Sequence, residues 1–386
     1  MSFHETMGFW RAALVAACAL ASSVLTAGAA CSEELPLRLV RNHPFLEVTI
    51  NGHPAKALLD TGAAVSWVDD DLAAEVGIGA LWLLSTEDAS GPQVRNDRTV
   101  PAVIGIGKAF SEERTLGLID IDAIFAELPE GETPPQAIIG LDILSNYVVE
   151  LDFDRAVVGL TPKDSYARFP SRGAISFEHV SGLAMLRTRL DGMDARTVID
   201  TGATSAIHMS NAFEGAAYAA SLPGSQMMVS SVAGVHQGPI ASLGRVEFAG
   251  RQFKSVPVTV SSQPIGENID AVIGMQVLGQ FNLILDLSRS RMWMTPNQNF
   301  GKPFRRDRIG LHSLGDALGE AGGELVLVAP GSPAEAAGFK PGEIVKEMYD
   351  EVGARIESGR DVAIGQKVVI VMGDGSLRTL TGAEYY

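Results

Sequence analysis

The chain has 386 residues, enough for two or three domains with substantial cores, and carries a formal charge of −16. That charge argues against nucleic acid or an anionic membrane as the main partner. Gly is abundant (41 residues) while Trp (4) and Tyr (6) are few, the balance of a protein built from strands and turns.

The first 29 residues read as an export signal. Arg11 precedes an apolar stretch from Ala12 to Leu25, and Ala27-Gly28-Ala29 follows as a small-x-small cleavage pattern. The apolar run is short for a membrane span, and the polar Ser32-Glu33-Glu34 follows at once; an uncleaved anchor is the alternative. Cys18 lies inside the signal, so a mature chain keeps only Cys31 and forms no internal disulfide. Lipidation at Cys31 is the minor reading, because Gly28 stands where such sites carry Leu. The expected location is therefore periplasmic or secreted.

Asp-Thr-Gly-Ala then occurs twice, at Asp60–Ala63 and Asp200–Ala203, each after an apolar run. At the same offset of 140, Asn51-Gly52 pairs with Asp191-Gly192, both hairpin-type turns. Phe45–Ile50 and Ala55–Leu59 flank the first turn; Ala184–Leu190 and Thr197–Ile199 flank the second. Further on, Ala137–Leu144 resembles Ala271–Leu278, and Glu150–Arg155 resembles Ile284–Arg289, both at an offset of 134. Four landmarks in one order indicate an internal duplication. One lobe is expected at 35–163 and a second at 175–298. Between the landmarks, short apolar runs such as Pro101–Ile106 and Val256–Val260 predict strands. Short helices are predicted at Asp70–Val76, Asp142–Leu144 and Gln276–Leu278.

From residue 302 the texture changes, and a third domain is expected over 302–386. A basic cluster of Lys302, Arg305, Arg306 and Arg308 reads as solvated surface. Ser332 and Pro333 start a short helix that Gly338 ends.

Two carboxylates about 3 Å apart cannot both ionise, so they share a proton. The ionised member can activate a water while the protonated one polarises a carbonyl. Asp60 and Asp200, held at the ends of buried strands, suit that chemistry. In this scheme Thr61 and Thr201 hydrogen-bond across the interface and lock the turns together. Gly62 and Gly202 permit close approach and offer N–H groups to the carboxylates. Each Asp-Thr-Gly taken alone is equally well read as an ordinary strand-ending turn.

These motifs resemble those of the retropepsin/pepsin aspartic peptidases, specifically bacterial retropepsin-like proteins, over about two thirds of the chain. The resemblance implies a mainly β, bilobal acid-protease double β-barrel with catalytic Asp60 and Asp200 at the cleft. It also implies flaps near Thr86–Val94 and Ser231–Gly238. Pepsins carry Ser or Thr after Asp-Thr-Gly; Ala63 and Ala203 lack that hydroxyl, which raises the expected dyad pKa values and predicts activity at mildly acidic to neutral pH.

The C-terminal region resembles a small α+β PDZ-like domain of bacterial proteases, on Ile309-Gly310-Leu311, the Ser332–Gly338 helix and Lys340–Val345. In such domains the first loop binds a peptide carboxylate. Here Ser358–Ile364 is short for the helix that walls the groove, and a spacer domain without ligand is the alternative.

No His-Glu-x-x-His, Gly-x-Ser-x-Gly or phosphate loop is present, and neither a metal nor a cofactor is expected. His53, His208 and His236 read as turn or surface histidines. The expectation is a monomeric exported aspartic endopeptidase acting on peptides or proteins. The alternative is a non-catalytic peptide-binding adaptor.

Overall fold

A computed structural model describes residues 33–81, 98–313 and 323–386, apart from 109, 123, 126, 127, 130, 232 and 233. The expected export signal, Cys31 and the first flap at 86–94 lie outside the described residues. The protein is mainly β, with a few short helices.

Each repeat opens with the hairpin its turn residues specify. His43–Ile50 pairs antiparallel with His53–Leu59, and Leu183–Leu190 with Met193–Ile199. Asn51, Gly52, Asp191 and Gly192 all have positive φ, as a two-residue turn matched to strand twist requires. The turn side chains also cap a neighbouring strand. Asn51 Oδ1 accepts from Val103 N at 2.8 Å, and Asp191 Oδ1 accepts from Arg245 N at 2.6 Å.

Only the last three residues of each second strand, Ala57–Leu59 and Thr197–Ile199, are buried in succession, where the strand runs between two neighbours. Ala57–Leu59 runs parallel to Ala137–Ile139, and Thr197–Ile199 parallel to Ala271–Ile273. After each Asp-Thr-Gly-Ala turn the chain returns on the far side of the same strand, through Trp67–Asp69 and Ile207–Met209. One apolar core spans both repeats, with Leu46, Val48, Leu59, Ile139, Ile199 and Ile273 in it.

The repeats also share a six-stranded sheet. At its centre Tyr147–Asp152 pairs with Phe281–Asp286, in the register Val149↔Leu285 and Leu151↔Leu283. At the offset of 134, Leu283 is the counterpart of Val149 and Leu285 of Leu151. The contact is therefore self-complementary, the pattern of a two-fold axis. This axis brings the two Asp-Thr-Gly turns face to face.

The predicted helices occur as Asp70–Glu75, Leu141–Leu144 and Met275–Leu278. A helix not predicted, Gly215–Ser221, belongs to the second repeat. Its Gly start and Ala-rich body carry no polar cap signal.

Five strands, Leu311–Ser313, Gly323–Val328, Ile344–Tyr349, Lys367–Met372 and Leu377–Thr381, form a separate antiparallel sheet with its own core around Ile309, Val345, Val368 and Ile370. The helix Pro333–Ala336 is capped as expected, with Ser332 Oγ accepting from Glu335 N. The segment Ser358–Ile364 makes only a single 3₁₀ turn at Gly359–Asp361. The basic cluster is not all solvated surface. Arg306 is 6% exposed and donates to Ser242 Oγ, Ser255 O and Tyr386 O at 2.6–2.8 Å, stapling the C-terminal region to the second repeat. Among the described residues, no helix is long and apolar enough to cross a membrane.

Candidate active site

Strand ends position both aspartates. Asp60 N donates to Ile139 O at 3.0 Å and Asp200 N to Ile273 O at 3.1 Å, so each carboxyl starts from a backbone fixed by the parallel strand beside it. Thr61 and Thr201 lock the turns reciprocally. Thr61 Oγ1 donates to Ile199 O at 2.8 Å and accepts from Thr201 N at 3.1 Å. Thr201 Oγ1 donates to Leu59 O at 2.7 Å and accepts from Thr61 N at 3.0 Å. Both threonines are buried, so their hydroxyls satisfy the opposite repeat's backbone where no water reaches.

The glycines allow the carboxyls to meet. A Cβ on Gly202 would lie 2.5 Å from Asp60 Cγ, and one on Gly62 would collide with the Asp200 carboxyl. Gly62 N donates to Asp60 Oδ1 at 2.7 Å, and Gly202 N to Asp200 Oδ1 at 2.8 Å. Ala203 N adds a second donor to Asp200 at 3.0 Å. Ala63 and Ala203 offer no hydroxyl; their side chains pack against apolar clusters around Ile138 and Val272.

The two carboxyls share a hydrogen bond. Burial pushes the Asp60 pKa well above the usual carboxylate range, and the Asp200 charge pushes it further. Burial also raises Asp200, but the hydrogen bond from Asp60 and the Ala203 and Gly202 N–H groups oppose the shift. Asp60 likewise accepts the Gly62 and Ala63 N–H groups, so the two environments match and burial favours one proton held between the pair.

Beneath each turn lies the glycine of the downstream landmark. A Cβ on Gly140 would strike the Ala63 and Val65 carbonyls, and one on Gly274 those of Ala203 and Ser205. The next residue returns a hydrogen bond to the turn: Leu141 N to Ala63 O at 2.8 Å, and Met275 N to Ala203 O at 2.7 Å. This accounts for the apolar-Gly landmark in both halves.

One supporting pair was missed from sequence. Ser66 Oγ donates to Asp142 Oδ1 at 2.7 Å and accepts from Gly140 N at 3.0 Å. In the second repeat Ala206 replaces Ser66 and Gln276 replaces Asp142; there Gly274 N donates to Ala206 O instead, at 3.1 Å. The two mismatches are one change, visible only when both positions are aligned at their own offsets.

Residues 46–143 match the family model described as Aspartyl protease. The chain is an aspartic-type peptidase. The matched residues contain the first Asp-Thr-Gly turn and its supporting Gly140. The peptidase is also similar to a solved structure, a retropepsin-like aspartic protease from Rickettsia conorii. Identity there is 17%, over 32% of this chain and 89% of that one, with a TM-score of 0.24. No curated protein matches the peptidase.

The C-terminal loop does not have the free donors expected of it. Ile309 N and Gly310 N both donate to the Asp307 carboxylate, at 2.9 and 3.2 Å, and Tyr385 Oη donates to it at 2.8 Å. Arg308 N donates to Gly359 O at 3.0 Å, closing the loop against the 3₁₀ turn. Ile309 and Gly310 therefore meet an internal carboxylate where a peptide terminus was expected. The expectation did not count Asp307, two residues upstream, as a competing acceptor. Leu311 starts the edge strand of its sheet, pairing on one side with Val328. Among the described residues no group of His, Cys, Asp or Glu is arranged to hold a metal.

Proposed function

We propose that the protein is an exported, single-chain aspartic endopeptidase with Asp60 and Asp200 as its catalytic dyad. Its two lobes span about 35–163 and 175–298, paired as a bilobal acid-protease barrel, and a PDZ-like domain at 302–386 selects substrate or regulates access. The observation that carries this reading is the reciprocal Thr61–Thr201 lock, which holds two hydrogen-bonded carboxyls at the junction of the repeats.

In this reading the pair enters the reaction with one proton. The ionised aspartate takes a proton from a water as that water attacks the peptide carbonyl carbon. The protonated aspartate gives its proton to the carbonyl oxygen, so the tetrahedral intermediate is a neutral diol rather than an oxyanion. Collapse breaks the C–N bond. The amine nitrogen leaves with the proton that the first aspartate acquired, and a diol hydroxyl returns its proton to the other. No cofactor enters the cycle. The raised pKa of the pair supports activity at mildly acidic to neutral pH, and a rate profile peaking at about pH 2 would contradict it.

The test is hydrolysis of a denatured protein by wild type beside Asp60→Asn and Asp200→Asn. Loss of about 10³-fold or more in each variant is expected, together with inhibition of wild type by a statine-type transition-state analogue. Equal cleavage by all three would remove the dyad. No cleavage by any of them would favour the adaptor.

A further inference from the structure

The C-terminal domain ties the two repeats together. On the second repeat its anchor is the buried Arg306, which donates to Ser242 Oγ and Ser255 O. On the first repeat its contact is the turn at Arg41–Asn42. Arg41 Nη2 bonds Glu357 Oε2 and Arg41 Nη1 bonds Asp361 Oδ2, both at 3.0 Å, and the arginine side chain is only 17% exposed.

The two carboxylates belong to one short, fixed segment. Ser358 Oγ accepts from Arg360 N at 3.2 Å and Ser358 O from Asp361 N at 2.9 Å, which closes the 3₁₀ turn between them. Arg308 N donates to Gly359 O at 3.0 Å, and a Cβ on Gly359 would collide with the Asp307 carboxylate. The turn therefore sits directly on the linker that carries Arg306. Arg305, from the same linker, also pairs with Asp361. An isolated exposed ion pair contributes little, because two long side chains must be ordered to form it. Here both acceptors are placed in advance, and one planar guanidinium spans them.

The turn that carries Arg41 packs on the catalytic loop of the opposite repeat. Asn42 Nδ2 donates to Thr204 O at 3.5 Å. Thr204 follows Ala203, whose N–H donates to Asp200 Oδ1 at 3.0 Å. The counterpart turn at the offset of 140 is Ser181–Gly182, and a Cβ on Gly182 would lie 3.7 Å from Ala64 Cβ, beside the other Asp-Thr-Gly-Ala. The second repeat's turn thus meets its loop by close approach of a glycine. The first reaches its loop through a side chain, and a bond as long as 3.5 Å depends steeply on where the turn is held.

We propose that Arg41 is a positioning residue for Asp200. Clamped by Glu357 and Asp361, it holds the Asn42 turn against the Thr204 carbonyl and so fixes the loop that carries the carboxyl. The C-terminal domain then supports catalysis itself, in addition to any action on substrate. The proposal rests on the peptidase reading of the Asp60/Asp200 site.

The test uses the full chain as wild type, Arg41→Gln, Glu357→Gln/Asp361→Asn and the triple variant. In steady-state hydrolysis of one peptide, each variant should lose about fivefold in kcat while KM changes by less than about twofold. The triple variant should lose no more than Arg41→Gln alone, because both changes cut the same contact. Arg41→Lys keeps the charge and should recover part of the loss. Hydrogen exchange read by mass spectrometry gives a second readout that needs no turnover. In Arg41→Gln, exchange over residues 200–206 should quicken about threefold or more, and by more than over 60–66. Losses that multiply in the triple variant, a change confined to KM, or equal quickening of both loops would overturn the proposal. If wild type cleaves nothing, the peptidase reading falls, and the exchange comparison still decides whether the clamp reaches the loop.

Discussion

The two repeats use the same backbone at the dyad and different surroundings. Hairpin, parallel strand, Asp-Thr-Gly turn and supporting glycine superpose in role, residue for residue, down to reciprocal bonds of 2.7–3.1 Å between Thr61 and Thr201 and the opposite chain. Away from that axis the repeats part. The first has the Ser66–Asp142 bond; the second has the helix Gly215–Ser221, the long hairpin and the Arg306 staple. In the proposed reading, chemistry that needs two matched carboxyls accounts for this match at the turns. The asymmetry between the repeats lies in what is packed around the turns.

The comparison can be pressed hardest at the glycines. Gly62→Ala and Gly202→Ala each drive a Cβ into the opposite carboxyl. Both should cost on the order of 10²-fold or more in kcat/KM, by moving a carboxyl about 1 Å from its working place. A steady-state assay showing a large loss for one and none for the other would break the equivalence of the two turns.

Next in size are the threonines. Thr61→Val and Thr201→Val keep shape but leave a buried N–H and C=O of the opposite repeat unpaired. Each should lower unfolding free energy by about 2–4 kcal/mol, and by similar amounts, in denaturant titrations. Ser66→Ala should cost less, about 1–2 kcal/mol, because Asp142 is only part-buried. The second repeat already lives without this bond, so Ala206→Ser should not yield an equal gain.

The smallest effect concerns pH. Burial holds Asp60 above its ordinary pKa, so the folded state keeps a proton that the unfolded chain has lost. The sign follows: this contribution is most favourable below the ordinary carboxylate pKa, and stability declines as pH rises through the raised one. Asp60→Asn should therefore raise Tm at about pH 7 relative to wild type and leave it nearly unchanged at about pH 3. A lower Tm at both values would mean that the carboxyl is not held under strain.

Much of this was legible in the sequence, for identifiable reasons. Asn51-Gly52 and Asp191-Gly192 force a positive φ, so the hairpins could be read locally. Asp-Thr-Gly repeated at one offset exposed the facing turns, because a duplicated motif carries its geometry with it. What stayed hidden depends on partners distant in sequence. Arg306 resembles any surface arginine until Ser242, Ser255 and Tyr386 surround it. Asp307 lies outside the Ile309-Gly310-Leu311 motif, yet it takes the N–H groups expected to receive a ligand. Ser66 and Asp142 are 76 residues apart, and only the paired substitution in the second repeat marks them.

The central claim is that one chain supplies both aspartates. It is tested most directly by mixing Asp60→Asn and Asp200→Asn chains and assaying hydrolysis beside wild type. An intramolecular dyad predicts an active wild type, two inactive variants, and a mixture no more active than either. Recovery of activity in the mixture would place the two carboxyls on different chains and contradict the account.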